Sequence, residues 1–256
     1  MSDKVCIIKQ PAGIGDILFC QKIAKVIQSE TEYKKIIWPV SKIYSYLRDY
    51  IISEDIEFVD ESIEFLYKEV YNLNDVYMVQ TDEYLFVPLQ TSDRIQQKCK
   101  CHDNPLAHGH MKYDFCNIDY SDWKEYFNFE RNEERENALI EKIGLDITKS
   151  YNLVNNNSGT YPNYGTRNNL VPNNDYLNIS MSFYDGVNLF DWIKIFECAQ
   201  EIHTMECGVY YILDKMNLDN VYIYSKYTNE WADGKHRLDT FSYMKDHCNK
   251  NWRFIN

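Results

Sequence analysis

Short unbroken apolar runs alternate along the chain with stretches whose apolar positions fall three and four residues apart. Val5–Ile8 is one such run, and it predicts a short strand. Beyond it, Ile17, Cys20, Ile23, Ala24 and Ile27 recur at helical spacing. Lys35–Val40 predicts a second strand, stopped by Pro39, and residues 41–50 a helix. Residues 56–59 predict a third strand and residues 61–71 another helix. Residues 76–79 and Tyr84–Val87 predict further strands. Strands alternating with helices point to a parallel sheet covered by helices. Residues 91–123 are less regular and hold three of the six histidines. A charged helix over residues 132–143 ends at Gly144, and the domain junction is placed just beyond it.

The pattern then restarts. Tyr151–Asn155 predicts a strand feeding a polar loop over 155–169, and residues 177–181 a second strand. Asn188 with Asp191 three residues later resembles a capping box. It opens a helix with Leu189, Trp192, Ile193, Phe196 and Ala199 on one face. A short strand near Ile202 follows, and Gly208 then opens a helix striped by Val209, Ile212, Leu213 and Met216. Val221–Tyr224 is the last predicted strand. Residues 231–256 carry Trp, Tyr and Phe positions suited to a helix packing back on the first half. The expected architecture is α/β with two Rossmann-like lobes, residues 1–146 and 147–256.

A chain of 256 residues with 45% hydrophobic content can bury a sizeable core. The polar first residues are followed by too short an apolar run for a signal peptide, and no apolar run approaches a membrane span. A cytoplasmic protein without a transmembrane segment is therefore expected. The net charge of −12 argues against a nucleic-acid partner, which requires clustered Lys and Arg. Eight cysteines without a leader read as reduced thiols and not as a disulfide framework. The 22 tyrosines suit a carbohydrate site, but they equally follow from an AT-rich coding sequence.

Four segments carry candidate chemistry. The first is the turn Gln10-Pro11-Ala12-Gly13-Ile14-Gly15-Asp16 between a strand and a helix. Its glycines permit close backbone approach to a ligand. As a nucleotide fingerprint it is incomplete, since Leu18 stands where a third glycine belongs and no Gly-Lys-Ser/Thr follows. Asp16 is either a helix-capping acid or a reactive carboxylate, and the two roles are compatible. The second is Thr204-Met205-Glu206-Cys207-Gly208, where a strand gives way to a helix at the sheet's carboxyl edge. Glu206 there is either a hydroxyl acceptor or a cap. The third is the loop holding Asn155, Asn157, Ser158, Gly159 and Thr160, with Arg167 as the nearest cation able to pair with a diphosphate, although an ordinary flexible surface loop fits the composition equally well. The fourth gathers Cys99, Cys101, His102, His108, His110 and Cys116. These are zinc-capable side chains, but their spacing matches no common metal finger, so no metal site is assigned. His108 and His110 are read instead as facing an acceptor pocket.

Together these pieces resemble the GT-B glycosyltransferases, in particular the heptosyltransferase-like family 9. Members open with a strand and a Gly-Asp turn into the first helix, which Ile14-Gly15-Asp16-Ile17-Leu18 is similar to. The resemblance implies that Asp16 is the catalytic base, with Gly13 and Gly15 on the acceptor side. The family's Asp-Thr-Gly-x-x-His stretch is similar to Glu206-Cys207-Gly208-Val209-Tyr210-Tyr211, with Tyr211 in place of the histidine. It implies a nucleotide-sugar donor on the second lobe, held by these residues and by Arg167, and a glycan acceptor on the first, across a cleft. Asp122-Trp123 and the run from Glu201 to Thr204 are also similar to glycosyltransferase-like proteins of large DNA viruses and marine microbes, which would place the chain in a host cytoplasm. Inverting transfer without a cofactor or an obligatory metal is expected, because Asp114, Asp119 and Asp122 are scattered and form no Asp-x-Asp motif. Two other classes fit the same scaffold: a non-catalytic nucleotide- or glycan-binding protein, and another nucleotide-dependent transferase. A serine hydrolase is not supported, since no Gly-x-Ser-x-Gly elbow occurs.

Overall fold

The computed structural model describes residues 4–72, 77–90, 108–156, 170, 172–173, 175–182, 184–225 and 242–255. They form two compact units, Met1–Glu130 and Arg131–Asn256.

In the first unit the chain runs β1 (Val5–Ile8), α1 (Ile14–Phe19), α2 (Gln21–Glu30), β2 (Lys35–Val40), a 3-10 helix (Lys42–Asp49), β3 (Ile56–Asp60), α3 (Lys68–Tyr71), β4 (Val79–Gln80), β5 (Tyr84–Val87), α4 (His108–Cys116) and α5 (Trp123–Tyr126). The sheet order is β3-β2-β1-β5-β4. Strands β1, β2, β3 and β5 are parallel, whereas β4 is an antiparallel edge. All four residues of β1 are buried, as expected of a central parallel strand covered on both faces. Val5, Ile7, Ile37 and Phe86 pack with Val70 and Tyr71 of α3 on one face.

Two predicted helices are shorter or tighter than the apolar spacing implied. Over 61–71 only the last turn is α-helical. Asp60 Oδ1 captures the Ser62 amide at 2.8 Å and Tyr67 adopts a left-handed φ of 63°, both of which hold the chain in turns. Over 41–50 the helix is of the 3-10 type. The strand predicted over 76–79 lies at Val79–Gln80 in its described part.

Helix α4 lies in the described part of the segment that looked irregular in sequence, and α5 begins at its end. Phe19, at the end of α1, is fully buried where they converge. Its ring meets Tyr113 edge-on at 4.9 Å and Trp123 at 5.4 Å, and the Tyr113 hydroxyl donates to the Phe19 carbonyl. Phe19 thereby anchors the helix that carries Asp16. Phe19→Ala should cost about 3–5 kcal/mol, read as a lower urea midpoint.

The second unit comprises α6 (Glu133–Ile143), β6 (Tyr151–Asn155), β7 (Leu177–Ser180), a 3-10 turn (Leu189–Trp192) running into α7 (Ile193–Cys198), β8 (Glu201–Met205), α8 (Val209–Lys215), β9 (Val221–Tyr224), α9 (Ser242–His247) and β10 (Arg253–Ile255). Its sheet is parallel, in the order β10-β9-β8-β6-β7. The capping box at Asn188 and Asp191 is formed as expected. Asp191 also accepts a fork from Arg135, Nε to Oδ1 at 2.8 Å and Nη2 to Oδ2 at 2.7 Å. Arg131 reaches Glu197 at 2.7 Å. These bonds tie α6 to the second unit, so the helix expected to end the first lobe falls beyond the boundary.

The C-terminal segment holds a helix as expected, α9, and also a strand that was not. Its described part adds a strand beside β9 in the second sheet, and the Trp252 indole donates to the Leu218 carbonyl at 2.6 Å. The stretch 226–241 lies outside the described residues.

On the middle of β8, His203 is buried between Tyr224, whose hydroxyl lies 2.9 Å from Nδ1, and Glu201, whose carboxylate lies 3.0 Å from Nε2. Tyr222 stacks on the imidazole at 4.4 Å. Burial pushes the His203 pKa below its ordinary 6.5, against the opposing pull of Glu201. Burial raises the Glu201 pKa, but the bonds from His203, the Asn173 amide and Tyr222 outweigh it and bring the value below 4.5. Both groups thus bind fewer protons folded than unfolded. Their contribution is complete above about pH 6.5 and declines as pH falls through the two folded values. The urea midpoint should therefore drop between pH 7 and pH 5, and His203→Asn should flatten that drop.

Candidate functional site at the carboxyl edge of the first sheet

Strand β1 continues one residue past Ile8: the Lys9 amide donates to Val87 and its carbonyl accepts from Gln90. Gln10 then fixes the turn. Its carbonyl accepts from the Trp38 indole at 3.1 Å, and its side-chain amide donates to the Ala12 carbonyl at 2.5 Å. At Gly13 the chain turns with φ 80° and ψ 86°, and the Ile17 amide closes the first helical turn on the Gly13 carbonyl at 3.0 Å. The helix consequently begins at Ile14, earlier than the apolar spacing from Ile17 suggested. Asp16 sits inside its first turn, and Gly13 occupies the capping position. Gly15 is buried in the same turn.

The Asp16 side chain is 38% exposed and is held from two sides. A Cβ on Gly13 would lie 2.7 Å from Asp16 Oδ2 and would push the carboxylate aside, and the φ of 80° there itself favours glycine. On the other side Lys112 Nζ lies 3.3 Å from Oδ1, although the Lys112 side chain is just 2% exposed. The same ammonium donates to Gln10 Oε1 at 2.5 Å. Tyr44, from the 3-10 helix, brings its hydroxyl to the Gly13 and Ile14 amides. Burial pushes its pKa up while those amides pull it down.

Sequence reasoning found Asp16, Gly13 and Gly15 but missed Lys112, Gln10 and Tyr44. Lys112 is flanked by Met111 and Tyr113, both buried. Helix α4 is therefore covered on several sides and shows no polar stripe that would mark one lysine as special. His110, on the same helix, stacks on Tyr120 at 3.9 Å and lies 6.2 Å from the Phe19 ring. His108 is the first residue of α4, and its side chain lies outside the described part.

At the carboxyl edge of the second sheet, the Asn155 amide donates to Thr204 Oγ1 at 2.9 Å and to Cys207 Sγ at 3.3 Å. Three of the residues assigned to the donor are thus gathered where β6 and β8 end. Glu206 is 3% exposed, and its amide donates to the Tyr224 carbonyl at 2.9 Å. Gly208 has an ordinary helical φ of −57°, so the backbone there does not demand glycine. Tyr211 is buried in α8 against Tyr210 at 4.0 Å and stacked with His247 at 6.2 Å. Its ring is thus occupied by packing. Asn157, Ser158, Gly159, Thr160 and Arg167 lie outside the described residues, as do Cys99, Cys101 and His102. Among the described residues no group of three or more His, Cys, Asp or Glu is placed to hold a metal ion, and no helix is long and apolar enough to cross a membrane.

Comparison of the sequence with protein-family models and with curated proteins gives no match. Comparison of the fold does. The family-9 glycosyl transferase of Veillonella parvula aligns over 100% of this chain and 87% of its own, with a TM-score of 0.53 at 10% identity. TibC, an iron-containing dodecameric glycosyltransferase from enterotoxigenic E. coli, aligns over 88% of this chain with a TM-score of 0.54 at 11% identity. This chain spans 59% of TibC's length. The architecture is therefore the GT-B-like α/β fold seen in family-9 glycosyltransferases.

Gly13→Ala should move Asp16 and destabilise the chain by about 1–2 kcal/mol, since a left-handed residue would gain a side chain. A crystal structure of the variant would show the displaced carboxylate, and urea unfolding would give the loss.

Proposed function

We propose that the protein is a glycosyltransferase that moves a sugar from a nucleotide-sugar donor to a hydroxyl group of a glycan acceptor. The observation that carries this reading is the half-exposed Asp16 carboxylate, fixed at the carboxyl edge of the first sheet by a glycine turn and a buried ammonium. Open α/β folds bind ligands at that edge, and the fold is shared with family-9 glycosyltransferases.

In the proposed reaction Asp16 accepts the proton of the acceptor hydroxyl as its oxygen attacks the anomeric carbon. The bond from that carbon to the nucleoside diphosphate breaks, and the diphosphate leaves with the bonding electrons. Attack opposite the leaving group inverts the configuration. The donor lies against the second unit, with Asn155, Thr204 and Cys207 at the strand ends and Arg167 as the cation for the diphosphate. No metal is invoked in this scheme, consistent with the missing Asp-x-Asp motif. The packing of Tyr211 argues that donor recognition does not use the position where the family keeps a histidine.

Asp16→Asn should lower transfer about 10²–10⁴-fold while leaving donor affinity unchanged. It should also lower the urea midpoint, because Lys112 loses its counter-charge. Retained turnover in a folded variant would remove Asp16 from the base role. A thermal-shift panel of sugar nucleotides, bare nucleotides and S-adenosylmethionine tests the donor class. A sugar nucleotide stabilising the chain well beyond its parent nucleotide is the expected result. Binding without hydrolysis or transfer would mark a non-catalytic binding protein, and a response to S-adenosylmethionine alone a different transferase.

A further inference from the structure

We infer that Lys112 is a positioning residue for Asp16, a role that rests on the reading of Asp16 as the base. A buried lysine is costly to desolvate, and a methionine of similar length would pack at that position without the penalty. The ammonium is matched by two groups of one turn, Gln10 Oε1 at 2.5 Å and Asp16 Oδ1 at 3.3 Å. Gln10 cannot swing away, since its carbonyl holds the Trp38 indole and its amide holds Ala12. Lys112 itself is fixed by the burial of Met111 and Tyr113 around it. The carboxylate is therefore gripped through Oδ1, while the bare face of Gly13 admits Oδ2. One oxygen is committed to the protein and the carboxylate keeps one orientation toward an acceptor hydroxyl. Lys112, at 2% exposure, is too deeply placed to meet a substrate, so it acts through Asp16 and not on the reacting atoms.

The test compares Lys112→Met, Lys112→Arg, Asp16→Asn and the double variant that combines Lys112→Met with Asp16→Asn. With the donor identified by the thermal-shift panel, Lys112→Met should lower kcat about 100-fold with donor KM changed less than about twofold. Lys112→Arg, which keeps the charge, should recover part of the loss. Urea midpoints supply a readout that needs no activity. Lys112→Met should lower the midpoint when Asp16 is present and lower it less, or raise it, in the Asp16→Asn background. A kcat for folded Lys112→Met within about twofold of the unaltered chain would overturn the inference, as would equal midpoint shifts in both backgrounds. If the unaltered chain transfers from no sugar nucleotide, the glycosyltransferase reading fails. The midpoint cycle then decides alone whether Lys112 holds Asp16.

Discussion

A lysine ammonium removed from water has to be answered by fixed acceptors, and the edge of the first sheet is organised around that need. Lys112 comes from α4, Asp16 from α1, and Gln10 from the link between β1 and the helix. Each partner is held by something else: Gln10 by Trp38 and Ala12, Asp16 by the Gly13 turn, Lys112 by the buried helix around it. Removing any one would leave a buried charge or a buried acceptor without its match, which is more damaging than never having had the pair. Phe19 completes the arrangement by fixing α1 against α4 and α5 through Tyr113 and Trp123. A surface carboxylate would be free to rotate among solvated conformers. Here a network of long-range contacts restricts it, which suits the role proposed for it.

The same logic explains what the sequence disclosed. The parallel strands were legible because covered strands are runs of apolar residues, as in Val5–Ile8 and Tyr84–Val87. The Asn188–Asp191 box was legible because its bonds are local. Asp16 stood out through the glycines before it. Lys112 did not, since its importance depends on a contact between residues far apart in the chain, and its neighbours Met111 and Tyr113 only say that the helix is buried. The helix expected over 61–71 was misjudged for a local reason. Asp60 and Tyr67 impose turns that outweigh apolar spacing. The helix expected to close the first lobe falls in the second unit, where Arg135 on α6 pairs with Asp191 and Arg131 just before it with Glu197. Strand β10 was missed because Arg253–Ile255 is three residues long, too short for a period to show.

At 10–11% identity, the likeness to family-9 structures reflects constraints that many sequences satisfy: strand order, helix cover and turns of workable length. Such likeness cannot transfer the role of a side chain, so roles have to come from this chain's own geometry. On that basis the departures carry information. Tyr211, the residue that departs from the motif the sequence resembles, is packed between Tyr210 and His247. The run from Glu201 to Thr204, prominent in the sequence, divides between two tasks. Glu201 and His203 build a polar network with Tyr222 and Tyr224 in the body of the sheet, while Thr204 belongs to the strand-end cluster.

The two carboxyl edges also differ in kind. The first concentrates opposite charges, with Asp16 and Lys112 in contact and Asp16 part-exposed. At the second, the side-chain bonds of the described residues join neutral groups, the Asn155 amide bridging the Thr204 hydroxyl and the Cys207 thiol. A reaction that removes a proton needs a carboxylate whose charge is kept and aimed, and an ion pair to a buried ammonium provides both. Recognition of an anionic, hydroxyl-rich donor makes the opposite demand on its immediate surroundings. A carboxylate facing the diphosphate would repel it, whereas amides and hydroxyls can adapt to it. Glu206, at the second edge, is buried at 3% exposure and so is not on the surface that would face a donor. The proposed division of labour, proton removal at the first edge and donor recognition at the second, matches the charges that the described residues place at each edge.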